Sequence, residues 1–524
     1  MIRNFNKFKF STPFSIALIT IVFFGSCSSE REGTGTPKNP NIIIILADDM
    51  GYGDVSALNP DSKVSTPSID KMVREGISFT NAHSSASVCT PSRYGLLTGR
   101  YAFKSEEAAF GIGGFAGPVI ESGRETLASL LKTSGYVTGV VGKWHLGLEW
   151  KTEDGESTPV FNAETGYSNV DFGQEIGTGP NDFGFDYSFI HPASLDIPPY
   201  VFLRNHRAID SDMILTTEVY PRRKDHTTFS WDKKHSNEQA VYWEKGVWWR
   251  QGEMSRSFRI ENCHKEIVKE GLNFIETQVK NEPDKPFFLY LPLTGPHTPW
   301  VPTEDLKGKS PIGLYGDFVM TIDHAVAEIQ ETLIKNGIDK ETLLVFTSDN
   351  GAYWPEEEIR LHSHDSNWGR RGQKGDVWEG GHRVPLIITW PDKIKNPSVF
   401  KPLVSLLDFF ATFSELVGHE KNAGSGEDSF SFLHVLEGNH DKPVRSSMVH
   451  HSSGGMYSLR DEKYKYIDGL GSGGFTAPQF EKPQQDGPMG QLYRIDLDST
   501  ESQNLILEEP DLAIKMSQSL TSFQ

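Results

Sequence analysis

Asn41-Ile42-Ile43-Ile44-Ile45-Leu46 is a continuous apolar, largely β-branched run that leads directly into Asp48-Asp49. A strand buried on both faces reads this way, because neither face meets water. The same arrangement recurs three times along the chain. Tyr136 to Val141 leads into Gly142-Lys143-Trp144-His145. Phe287-Phe288-Leu289-Tyr290-Leu291 leads to Pro296-His297-Thr298-Pro299, and Thr342-Leu343-Leu344-Val345-Phe346 to Ser348-Asp349-Asn350-Gly351. Helical patterns precede the second, third and fourth runs, at Leu127 to Thr133, Glu266 to Val279 and Phe318 to Lys335. Strands alternating with helices predict an α/β fold, a large mixed but mostly parallel sheet sandwiched by helices. In such sheets ligands bind beyond the carboxyl ends of the strands. Four exits that supply acids, an amide, a lysine and two histidines predict one composite site.

The stretch from Glu153 to Arg256 lacks this rhythm and reads as insertions and lid loops, about 153–256. After Pro385-Leu386-Ile387-Ile388-Thr389-Trp390, a helix predicted over Ser405 to Val417 closes a main domain spanning 41–436. Short strands within Ser446 to Ile467 and over Gln491 to Leu497 predict a smaller C-terminal α+β subdomain, 437–524, with an antiparallel sheet.

The chain has 524 residues and a formal net charge of −19. A nucleic-acid partner is excluded, because such a surface needs a basic footprint. Any anion site must be a local pocket of cations set against a repulsive global field. At the N-terminus, Arg3, Lys7 and Lys9 form a basic region before the apolar run Pro13 to Phe24, which is too short to span a bilayer comfortably. The run ends at Gly25-Ser26-Cys27, which resembles a bacterial lipobox. Residues 1–26 then read as a lipoprotein signal peptide, Cys27 as the lipidated residue and 27–40 as a lipid-anchored tether. A plain secretory signal is the alternative. Either reading exports the chain, and the lipid reading anchors it at a bacterial cell envelope. Only Cys89 and Cys263 remain, so an exported protein of this size is held by its core rather than by disulfide staples.

Asp48, Asp49, Asp349 and Asn350 offer hard oxygen ligands, with no thiol cluster or paired-histidine spacing of the zinc type. Such a set suits Ca²⁺ or Mg²⁺, and the plentiful extracellular ion is Ca²⁺. Cys89-Thr90-Pro91-Ser92-Arg93, continuing to Leu97-Thr98-Gly99-Arg100, reads as a helix start. Proline is tolerated in a first turn, and the turn's free N–H groups make a seat for an anion.

That segment resembles the signature of the formylglycine-dependent sulfatases, arylsulfatase-like members of the alkaline phosphatase superfamily. Gly135-Tyr136-Val137-Thr138 with Gly142-Lys143-Trp144-His145-Leu146-Gly147 resembles the family's second signature. Arg371-Gly372-Gln373-Lys374 with Glu379-Gly380-Gly381-His382-Arg383-Val384-Pro385 resembles a third block. The resemblance implies an alkaline-phosphatase-like fold and a hydrolase of sulfate esters. It implies Ca²⁺ on Asp48, Asp49, Asp349 and Asn350, and a maturation enzyme that oxidises Cys89 to formylglycine (3-oxoalanine), which sits on the same ion.

By the same resemblance, one hydroxyl of the hydrated aldehyde attacks sulfur. His297, with Lys374, protonates the leaving alcohol. The sulfated residue is released when His145 removes the second hydroxyl proton, and Arg93, Lys143 and Lys374 neutralise sulfate oxygens. His382 and Arg383 either contact substrate or pack the third block onto the sheet. His362 and His364 read as solvated surface. The expected substrate is a sulfated glycan, with an algal polymer such as ulvan favoured. Tyr200, Trp231, Trp243, Trp248 and Trp249 are candidates to stack on its sugar rings, with a satellite hydrophobic cluster as the alternative reading. Two rival functions remain open: a phosphodiesterase or phosphonate hydrolase of the same superfamily, and a non-catalytic glycan-binding lipoprotein.

Overall fold

The computed structural model describes residues 39–220 and 250–523. Cys27, the signal and tether segments, and Trp231, Trp243, Trp248 and Trp249 lie outside the described residues. Ten strands make the main sheet: β1 (Asn41–Asp48), β2 (Ile77–Phe79), β3 (Val137–Lys143), β4 (Tyr187–His191), β5 (Leu203–Arg204), β6 (Arg207–Ala208), β7 (Phe287–Pro296), β8 (Thr342–Ser348), β9 (Leu386–Thr389) and β10 (Ser398–Phe400). Their order is β10-β2-β9-β8-β1-β7-β3-β4-β5-β6. The central five, β8-β1-β7-β3-β4, are all parallel, so their carboxyl ends open on one edge. The flanking strands β9 and β5 run antiparallel to β8 and β4.

The isoleucine run lies at the centre of this sheet for a packing reason. Ile42 pairs with Phe288 on one side and Leu343 on the other, and Ile45 with Leu291 and Phe346. Ile42, Ile44 and Leu46 face one core, with the helices Leu127–Thr133 and Asp408–Leu416. Ile43, Ile45 and Ala47 face the other, with Cys263–Asn281 and Leu314–Lys335. Each fully buried isoleucine contributes about 1.5–3 kcal/mol, so a charge at Ile44 would strike the centre of the molecule. Cys263 is wholly buried in the second core.

Four expectations are corrected in detail. Residues 153–256 are not only loops: they contribute β4, β5 and β6, and Met213–Leu215 pairs with Glu253–Ser255. Within β4, Ser188 and His191 are polar yet buried, so apolar runs alone do not reveal the strand. The helix expected from Ser405 starts at Asp408, and the strand expected through Leu497 stops at Tyr493. Tyr200 is fully buried, packs against His191 and Phe258, and therefore belongs to the core rather than to a sugar platform.

Four C-terminal strands, β11 (Ser447–His451), β12 (Tyr457–Asp461), β13 (Lys465–Ile467) and β14 (Gln491–Tyr493), form an antiparallel meander. The helix Pro510–Phe523 covers it through Met516 and Leu520. Both sheets lie in one compact unit beginning at Asn39. A buried polar cluster joins them. Glu379 pairs with Arg460 of β12 at 3.1 Å and Lys465 of β13 at 3.3 Å.

Candidate active site

Five strand exits meet in a cavity of about 1520 Å³, lined among others by Asp49, Cys89, His145, Ser194, His297 and Lys374. Asp48 ends β1, and Asp49 follows with φ 66°, a left-handed turn that aspartate tolerates better than most residues. The turn lets Asp49 N–H donate to Asp349 Oδ1 at 3.2 Å. At the exit of β3, Gly142 has φ 132°, and a Cβ there would lie 1.9 Å from Pro292 O. Only glycine permits β3 and β7 to approach this closely.

Cys89 is the first residue of the helix Cys89–Thr98, all ten residues of which are buried. Its thiol donates to Asp48 Oδ1 at 3.7 Å and lies 3.4 Å from Lys143 Nζ. Burial pushes the thiol up to about 12 despite Lys143 and Lys374, so it is protonated at neutral pH and a poor thiolate nucleophile. Arg93, one turn along, points the same way. It donates to Asp349 Oδ2 from Nε (3.0 Å) and Nη2 (2.7 Å), and to Lys143 O at 3.0 Å, and lies 3.4 Å from Asp48 Oδ1. Like Lys143, it is fully buried and stands behind the cavity wall rather than in it. The guanidinium orients the carboxylates from behind.

Lys143 Nζ donates to both oxygens of Asp48, at 2.7 and 2.8 Å, and to Ser194 Oγ at 2.6 Å. Burial alone would raise the Asp48 pKa, but Lys143, His297 and Arg93 outweigh it and hold the carboxyl low. Lys374 Nζ donates to Asp49 Oδ2 at 2.7 Å. Burial opposes its charge, but Asp49 more than compensates and raises its pKa, so Lys374 is cationic. His297 gives its Nδ1–H to the Thr298 carbonyl, which leaves Nε2 as the free proton carrier. That Nε2 lies 3.3 Å from Ser194 Oγ and 3.6 Å from Asp49 Oδ2. His145, at φ 54°, donates from Nε2 to Ile112 O at 2.9 Å. Its buried Nδ1 has no hydrogen-bond partner, and burial, then Lys143, hold the ring neutral.

The donor set fits a hard divalent cation. Asp48, Asp49 and Asp349 are buried together, and the Oδ1 of buried Asn350 lacks a partner while its Nδ2 donates to Asp49 Oδ1 at 2.7 Å. Ligand atoms of Asp48, Asp49, Cys89 and His297 lie within 4.8 Å of one another. His297 enters that cluster by proximity, but a carboxylate and amide oxygen set suits Ca²⁺ better than an imidazole does.

Ser194 and Asp196, from the exit of β4, were not legible from the sequence. Asp196 Oδ1 lies 3.9 Å from His297 Nδ1. His382 is fully buried behind the site, hydrogen-bonded to His83 (2.9 Å) and stacked on His450 (centroids 3.7 Å apart). It takes the packing role rather than the substrate role. Arg383 lies outside the cavity, in a separate cleft. His364 is not solvated either: it is buried, with Nε2 2.9 Å from Asp54 Oδ1.

A parallel α/β sheet whose exits converge acids, lysines and a helix-seated cysteine defines a hydrolase acting on an anionic ester. A family model described as Sulfatase matches residues 40–419. The chain belongs to the sulfatase family and is a sulfuric ester hydrolase. It is similar to an N-acetylgalactosamine-6-O-sulfatase of Bacteroides thetaiotaomicron, 30% identical over 94% of each chain. It is also similar to the N-acetylgalactosamine-6-sulfatase of Mus musculus, 31% identical over 73% of this chain and 64% of that protein. A solved structure described under the metabolism of multiple glycosaminoglycans by Bacteroides thetaiotaomicron shares the fold, with a TM-score of 0.76 and 29% identity. The match covers 93% of this chain and 99% of that one.

Proposed function

We propose that this chain is a calcium-dependent sulfatase that removes 6-O-sulfate from N-acetylgalactosamine units of a sulfated glycan, through a formylglycine made from Cys89. The observation that carries this reading is the seat of Cys89. It stands at a helix start on the cavity wall, between a carboxylate and two lysines, as a thiol too basic to act as one. The sugar follows the two relatives named for that substrate. No residue of the site favours an algal polymer, so this reading replaces the expectation of ulvan.

Asp48, Asp49, Asp349 and Asn350 would hold the calcium, which supplies a Lewis acid beside the sulfate when bound. Lys143 and Lys374 neutralise charge growing on the non-bridging sulfate oxygens. One hydroxyl of the hydrated Cys89 aldehyde gives its proton to Asp48, whose Oδ1 lies 3.7 Å from Cys89 Sγ, and forms the new bond to sulfur; the bond from sulfur to the sugar oxygen breaks, and His297 Nε2 gives that oxygen its proton. His145 Nδ1 then takes the proton of the second hydroxyl, sulfate departs and the aldehyde is restored. A serine or unoxidised cysteine has no second hydroxyl on the same carbon and would stay esterified. Export by the signal 1–26 and lipidation at Cys27 would set the enzyme at a bacterial envelope, near polymeric substrate.

The test is sulfate release from N-acetylgalactosamine 6-sulfate, its 4-sulfate isomer and the matching phosphate ester. The enzyme is produced with and without a maturation enzyme, and the Cys89 peptide is weighed by mass spectrometry. Turnover of the 6-sulfate only by converted protein supports the reading. Full activity with an unconverted thiol, or faster turnover of the phosphate ester, would overturn it.

A further inference from the structure

A second cleft, of about 420 Å³, opens beside the catalytic cavity. Four cations line it: Arg370, Arg383, Lys401 and Arg460. Glu462 and Asp496 share the wall, and Asp496 is already engaged, with Arg494 at 3.2 Å. Arg460 is engaged too, through Glu379 and Asn81. Arg383 pairs with the same Glu379, Nη1 to Oε2 at 3.8 Å, and donates from Nη2 to the Thr80 carbonyl, but its Nε is buried without a partner. The Arg370 Nε is likewise buried and unpartnered. Among the described residues Arg370 and Lys401 are the two cations of the cleft with no carboxylate within ion-pair distance.

Two guanidinium N–H groups buried without acceptors are costly, and like charges crowd one another here. Burial and then Arg370 pull the Arg383 pKa downward, against the opposing pull of Glu379. On a chain of net charge −19, such a concentration of unspent positive charge points to an anionic ligand. Arg370 also lines the catalytic cavity, so one side chain forms the ridge between the two hollows. Its place is set by Trp368, whose ring lies 5.8 Å from the guanidinium and stacks on Tyr52. A ligand that fills the cavity and crosses this ridge delivers its next group to Lys401 and Arg383.

We propose that this cleft is a second anion subsite, which holds an acidic group, sulfate ester or carboxylate, on the glycan chain beyond the reacting sugar. The inference rests on the glycan-sulfatase reading for the identity of its ligand. It makes the enzyme a reader of polyanionic chains rather than of isolated sulfated sugars.

The test uses the full chain with Cys89→Ala, so that binding is measured without turnover. Two probes are titrated by calorimetry: a hexasaccharide of alternating glucuronate and N-acetylgalactosamine 6-sulfate, and the 6-sulfated monosaccharide. Adding Lys401→Glu should weaken the hexasaccharide about tenfold, the scale of one lost charge-assisted contact, and leave the monosaccharide unchanged. Lys401 is exposed, so the change does not threaten the fold. Equal affinity with and without Lys401→Glu, or equal weakening of both probes, would overturn the subsite. Sodium sulfate competes at the catalytic cavity in both proteins, so its displacement of the hexasaccharide beyond that of sodium chloride at matched ionic strength should not depend on Lys401, and a loss of that excess in Lys401→Glu would make a free anion the occupant instead. The two readings separate cleanly in kinetics. Lys401-dependent binding without sulfate release from any glycan overturns the substrate reading and keeps the subsite. Release with the same kcat/KM in Lys401→Glu does the reverse.

Discussion

Replacing Arg93 by methionine removes a buried guanidinium and leaves its volume almost unchanged. Its Nη2 lies 2.7 Å from Asp349 Oδ2 and 3.4 Å from Asp48 Oδ1. At an effective dielectric near 20 these contacts are worth about 5–6 kcal/mol each in gross attraction, most of it offset by taking the ions out of water. What the substitution exposes is the uncompensated remainder, because Asp349 and Asp48 stay buried after the cation has gone. Breaking one side of a buried ion pair costs about 3–5 kcal/mol. Urea unfolding of Arg93→Met in a chelator, followed by tryptophan fluorescence, should therefore show a midpoint well below that of the parent. Calcium should recover more stability in the variant than in the parent, since the ion replaces the missing positive charge among the same carboxylates. Adding Asp349→Asn should also recover stability in the chelator, because the pair is then neutral on both sides. If Arg93→Met matches the parent, or if the double variant is no better than the single one, the guanidinium is not what holds these carboxylates.

Other consequences are as direct. His297→Ala should lower kcat on a sugar sulfate by about 10²–10⁴-fold, the usual range for a lost general acid. It should lower kcat much less on 4-nitrophenyl sulfate, whose leaving group needs little protonation, and an equal loss on both would remove His297 from that role. Gly142→Ala places a Cβ 1.9 Å from Pro292 O at a φ of 132°, so the variant should accumulate as insoluble or low-melting protein. A soluble variant melting at the parent temperature would contradict the close approach of β3 and β7. Buried His83, His382 and His450 all have depressed pKa values, each chiefly through burial. The unfolded chain then binds more protons than the native one below about pH 6.5, and stability is lost as pH drops below that value, by up to about 1.4 kcal/mol per unit per histidine. Replacing His450 by glutamine should flatten that acid slope, and an unchanged slope between pH 6.5 and 5 would show that these rings are protonated in the native state.

The central strands announced themselves because both faces of β1, β7 and β8 are apolar, and a continuous run is their direct record. Asp48, Lys143, His145, His297 and Asp349 were legible for a related reason, since each leaves the end of such a run, whereas Cys89 at a helix start and Lys374 in a loop were read only from their resemblance to family signatures. Three things lay beyond that logic. β4 carries polar residues that are buried because groups in the loops flanking the strand satisfy them, as when Asn181 accepts the Ser188 hydroxyl at 2.8 Å, and no apolar run records that. Ser194 matters only because Lys143 and His297 arrive from two other strands. His382 and Arg383 are neighbours in sequence and both reach Glu379, yet the first is sealed in the buried cluster while the second also lines a cleft, a division that depends on where β12 and β13 dock.

The burial of the whole helix Cys89–Thr98 also fixes an order of events. In the finished fold Cys89 retains a small opening onto the cavity, while Pro91 and Arg93 are sealed inside. On the proposed formylglycine reading, a maturation enzyme that grips those neighbours while oxidising Cys89 would need an extended segment, which the folded chain does not present. Oxidation would then compete with folding itself. A variant that folded faster through this helix would carry a larger share of thiol.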